Sequence, residues 1–64
     1  MKIKYDIETD TLRILLRDVP IEESEEETPG VIVDYDEAGD VVGFEVLDAS
    51  RRVENPKAIE YAIA

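Results

Sequence analysis

A chain of 64 residues with no cysteine and no histidine makes one small domain, residues 1–64, that no disulfide can staple and no structural zinc site can hold. At this length folding buries only about 60% of the surface the unfolded chain exposes, so self-association is the remaining common way to complete the core. Seventeen acidic against seven basic residues give a formal charge of −10, which opposes binding to nucleic acid or anionic lipid and favours basic partners.

No apolar run has the length of a signal-peptide core or a membrane span, and the expectation is a soluble cytoplasmic protein. From Met1 to Asp18 apolar and polar residues alternate on two arms: Ile3 and Tyr5 against Lys2 and Lys4, then Leu12, Ile14 and Leu16 against Arg13 and Arg17. The turn residues Asp6-Ile7-Glu8-Thr9-Asp10 lie between them, which predicts a β-hairpin.

Asp18 to Gly30 follows, bounded by Pro20 and by the turn signal Pro29-Gly30. It carries Glu22, Glu23, Glu25, Glu26 and Glu27, a run that reads as a solvated linker with a short edge strand over Ile21 to Ser24. The functional alternative is a docking surface for a basic protein.

A second hairpin spans Gly30 to Asp48. Val31, Val33 and Tyr35 alternate on one arm, Val42, Phe44 and Val46 on the other, and Asp36-Glu37-Ala38-Gly39 turns between them with Gly39 at positive φ. Laid thirty residues apart the two hairpins match: Ile3 falls on Val33, Tyr5-Asp6 on Tyr35-Asp36, Leu12 on Val42, Ile14 on Phe44 and Leu16 on Val46. One face of the predicted sheet is therefore apolar. The other carries Lys2, Lys4, Arg13 and Arg17 beside Ile32, Asp34, Val41, Gly43, Glu45 and Leu47. The four cations suit cross-strand pairing with acids, and the apolar Ile32, Val41 and Leu47 mark a face for a helix or for a second subunit of a homo-oligomer.

After Leu47 the period changes. Asp48 to Val53 predicts a helical turn capped by Asp48 or Ser50, and Asn55 to Ile63 a longer helix with Asn55 as N-cap, Pro56 at its first position and Ile59, Ala62 and Ile63 as its stripe. The fold class is α+β: a small antiparallel sheet of two similar hairpins with a short C-terminal helix.

The segments Asp34-Tyr35-Asp36 and Val42-Gly43-Phe44-Glu45-Val46-Leu47-Asp48-Ala49-Ser50, with Met1 to Asp6 before them, closely resemble a family of short prokaryotic proteins, domain-of-unknown-function family 2283. The resemblance covers nearly the whole chain. It implies a small antiparallel sheet with a C-terminal helix and no assigned activity, and, from members encoded beside small toxin-like proteins, an antitoxin role. The apolar Ile7 in the first turn departs from the family pattern.

Chemistry by side chain is sparse. Without His or Cys the serines have no imidazole to activate them, so any hydrolysis would rest on carboxylates such as Asp34, Asp36, Asp40, Glu45 and Asp48. Asp6 to Asp10 starts like a calcium loop, but Thr11 stands where the loop needs Gly and Arg17 where it needs the bidentate Glu. The expectation is a non-catalytic protein-binding module without cofactor, with a self-assembling structural module as the alternative and a carboxylate enzyme or weak cation binder as the third.

Overall fold

Residues 1–64 are described by a computed structural model in which the arms of both predicted hairpins and the glutamate run become strands: β1 Lys2–Asp6, β2 Thr11–Leu15, β3 Glu23–Thr28, β4 Val31–Tyr35 and β5 Val41–Val46, followed by the four-residue helix α1 Ala49–Arg52. The strands form one antiparallel sheet in the order β1-β2-β5-β4-β3.

The two similar hairpins are β1-β2 and β4-β5, and they pair in the same register. Ile3 stands opposite Ile14 as Val33 stands opposite Phe44, and Lys4 opposite Arg13 as Asp34 opposite Gly43. Where β2 meets β5, Ile14 pairs with Phe44, its own counterpart thirty residues on. An approximate two-fold axis therefore passes between those two residues, normal to the sheet. The turns repeat as well. Asp6 accepts the amide of Glu8 at 3.0 Å, and Asp36 accepts those of Ala38 at 3.0 Å and Asp40 at 2.9 Å; Gly39 closes the second turn at φ 85°.

The symmetry breaks at Val42. Tyr5 faces Leu12, but Tyr35 faces Val41, leaving Val42 as a bulged extra residue that is fully buried. Gly43 follows it because β2 runs so close that a Cβ there would collide with the Ile14 carbonyl oxygen.

Two expectations are corrected. The glutamate run is not a linker with a strand over Ile21 to Ser24; it is itself strand β3, joined to β4 by the two-residue turn Pro29-Gly30 with Gly30 at φ 80°. Pro sets the first turn position and Gly the left-handed second, which is a type II turn. The helix predicted over Asn55 to Ile63 is absent. Asn55 caps a single turn, its side chain accepting the Lys57 amide and its carbonyl that of Ala58, and residues 58–64 are neither helix nor strand. A stripe of Ile59, Ala62 and Ile63 supports so short a helix only when it is packed, and Ile59 and Ile63 remain exposed.

Helix α1 is held from a distance. Asp48 sits at its N-cap with φ 52° but makes no side-chain cap, and Ser50 does not cap it either. Asp10, itself at φ 53°, does so from the first turn: its carbonyl accepts the Ala49 amide, Oδ1 the Ser50 amide at 3.0 Å and Oδ2 the Ser50 hydroxyl at 2.6 Å. The helix thereby covers one end of the apolar face, where Leu12 and Ala49 are buried.

Candidate functional site

Strand register sets the chemistry of each face. One face carries the rows Ile3-Ile14-Phe44-Val33-Glu25 and Tyr5-Leu12-Val46-Val31-Thr28; the other carries Lys2-Leu15-Gly43-Asp34-Ser24 and Lys4-Arg13-Glu45-Ile32-Glu26.

β3 is an edge strand bonded only to β4, and all six of its residues are exposed. Its outer side is a row of main-chain groups without strand partners. Glu23 and Glu25 project on the apolar side and Glu26 on the other, Glu27 occupies a bulge, and Glu22 precedes the strand with its amide donating to the Tyr35 carbonyl. The predicted acidic residues thus stand along one edge. Their charges feel one another: Glu27 and then Glu23 push the Glu25 carboxyl above its ordinary range. Tyr35 anchors the strand, donating its hydroxyl to Glu27 at 2.5 Å, which with partial burial pushes the phenol up to about 12.

On the opposite face Asp34 has no solvent exposure at all. Its Oδ1 accepts the Ser24 hydroxyl at 2.6 Å, and its Oδ2 has no hydrogen-bond donor. Glu45 is the diagonal neighbour. Burial, then the neighbouring Asp34 carboxyl, raise the Glu45 carboxyl above its ordinary range, while Arg13 opposes the rise. Beside it Lys4, Asp6, Thr9, Thr11, Arg13, Glu45 and Leu47 line an open hollow of about 300 Å³.

Of the four cations placed on this face, only Arg17 forms an ion pair, to Asp36 at 2.7 Å, and the Asp36 carboxyl is held below its ordinary range by that contact and by the Asp40 amide. Ile32, Val41 and Leu47 are half-buried, and the bulge sets Val41 opposite Tyr35, out of the row of Ile32. The large exposed apolar side chains stand elsewhere, among them Ile3 and Leu16. Sequence reasoning missed the Ser24–Asp34 bond and the reach of Asp10 to Ser50; only a pairing register reveals the first, and the forty-residue separation hides the second.

No three His, Cys, Asp or Glu side chains converge as a metal site, and no helix is long and apolar enough to cross a membrane. A family model described as a protein of unknown function, DUF2283, matches residues 2–50. No curated protein and no solved structure matches the chain.

Proposed function

We propose, starting from the fact that the chain belongs to the DUF2283 family, that it is a non-catalytic protein-binding module whose partner is a small basic protein. The observation that carries this reading is the outer edge of β3: six exposed residues, four of them glutamate, on a strand with one side unpaired. An extended segment of the partner adds there as a sixth strand, with main-chain hydrogen bonds giving affinity and alternate side chains giving specificity. Charge decides which strands are admitted. An acidic edge is repelled and a neutral one leaves the glutamates unpaired, which is how natural sheets avoid pairing with strangers, whereas a segment with Lys or Arg at alternate positions meets Glu23 and Glu25 on one side and Glu26 on the other. A basic toxin-like protein has this character, and its neutralisation is the role we assign.

The test is affinity capture from the source cell's extract, followed by binding of the captured protein to a variant with Glu22, Glu23, Glu25, Glu26 and Glu27 changed to Gln. The expected partner is rich in Lys and Arg, elutes at moderate salt and binds the variant far more weakly, since exposed charges are screened beyond about 8 Å at physiological ionic strength. A partner indifferent to both salt and the substitutions overturns the reading.

A further inference from the structure

We propose that the apolar face of the sheet is closed by a second copy of this chain, in a face-to-face dimer whose two-fold axis runs along the strands. A sheet with one apolar face is stable only when that face is covered by a second layer. Here the second layer is a four-residue helix at one end, and only Leu12, Val33, Val42 and Ala49 form the buried apolar core. The molecule is a slab of 32 × 31 × 19 Å with a radius of gyration of 12.2 Å, where a closed domain of this length has about 10.7 Å.

The area agrees. The chain exposes 5029 Å², whereas a compact monomer of its mass exposes about 4,100 Å². The excess of about 900 Å² is shared between the open face and the extended C-terminal arm, and a standard interface buries roughly 800 Å² per partner. The arm leaves α1 beside Leu12, where it borders a hollow of about 710 Å³, and Ile59 lines that hollow.

The choice of a second copy and of its axis follows from pattern and charge. Ile14 and Phe44 lie at the approximate two-fold centre of the face, and an isologous contact sets one such apolar patch against the same patch of the second copy. Glu23 and Glu25 rim this face at β3, while at the β1 rim the same face carries Ile3 and Tyr5. An axis along the strands seats β3 over the partner's β1 and keeps the two acidic rims apart. An axis across the strands would oppose them. This surface is separate from the outer edge of β3, so the proposal does not rest on the partner reading above.

The experiment is sedimentation equilibrium of the full chain across the micromolar range, with Ile3→Glu, and Leu16→Glu one residue past β2 in the alternation of Leu12 and Ile14, as variants on the apolar face and Lys2→Glu as the control on the other face. Leu16 and Ile3 are already 38% and 36% exposed, so each monomer keeps its strands, and circular dichroism identifies the folded variants. The expected result is a wild-type dimer, a dissociation constant raised at least about thirtyfold by either apolar-face variant, and a dimer retained in Lys2→Glu. A wild-type monomer throughout the range overturns the proposal, as does a dimer that a folded Leu16→Glu or Ile3→Glu leaves as tight as Lys2→Glu does.

Discussion

At the residue scale, two carboxyl groups are perturbed in opposite directions, and pH separates them. Asp10 is held below its ordinary value of 3.8, first by the Ser50 hydroxyl and next by the Tyr5 hydroxyl at 2.6 Å. Its contribution is therefore present above 3.8 and lost as pH falls through the lowered folded value. Asp10→Ala is expected to lower the urea midpoint at neutral pH, by an amount that shrinks as the buffer is acidified. An equal loss at all pH values would mean that the carboxylate is not what holds α1. Glu45 is raised above its ordinary 4.5 by burial and then by Asp34. Its favourable contribution is complete below 4.5 and disappears as pH rises through the raised folded value, so the wild-type protein is penalised at neutral pH. Glu45→Gln keeps the shape and removes the charge. The expected outcome is a higher midpoint than wild type at neutral pH and the same midpoint in acid; a variant no more stable than wild type at neutral pH would show that burial and the Asp34 carboxyl do not penalise the Glu45 carboxylate.

At the scale of the elements, two glycines serve different ends. Gly43→Ala forces a methyl against the Ile14 carbonyl in the central β2-β5 pair and is expected to cost about 1–3 kcal/mol, the usual range for overpacking. Gly39→Val meets no atom within 4 Å, and its cost is the strain of a β-branched residue at φ 85°, about 1–2 kcal/mol. Glu26→Val, on the exposed edge, should stay within about 0.5 kcal/mol of wild type. Chemical denaturation of the three variants checks the order, and equal midpoints for Gly39→Val and Glu26→Val would mean that the turn tolerates the side chain. These elements also show what was legible in the sequence. The hairpins were, because alternation and Asp-to-Gly turns are local signals, and the thirty-residue repeat predicted two hairpins of one design, which pair alike, Ile3 with Ile14 and Val33 with Phe44. β3 was misread because mutual repulsion of glutamates argues against a strand, whereas its pairing with β4 is set by the Pro29-Gly30 turn. The short helix after the sheet is there as α1, but the second helix over Asn55 to Ile63 was misread because Asn55-Pro56 is a strong start signal, and a start signal cannot supply the surface on which a short helix must pack. The Asp34–Glu45 pair was legible only as two acids on one face; that Asp34 is wholly buried depends on tertiary cover that no pattern announces.

At the scale of the whole molecule, the charge of −10 acts on both proposed associations, with opposite sign. Two copies meeting through an apolar face bring like charges together, so added salt screens their repulsion and strengthens self-association. A basic segment adding to β3 draws its attraction from the same charge, so salt weakens it. The two surfaces can therefore be separated without mutation by following each equilibrium from low to high sodium chloride. The dimer dissociation constant should fall as the partner dissociation constant rises, and replacing the five glutamates of Glu22 to Glu27 by glutamine should imitate salt in both directions, tightening the dimer and loosening the partner. If both associations weakened with salt, the dimer would be held by ion pairs and not by Ile14, Phe44 and their apolar neighbours. The midpoint of thermal unfolding should also rise with protein concentration, since a dimer that only the folded state forms stabilises that state by mass action. The rise should vanish in Leu16→Glu and persist in Lys2→Glu, which ties the stability of this thin sheet to the face that its own chain leaves open.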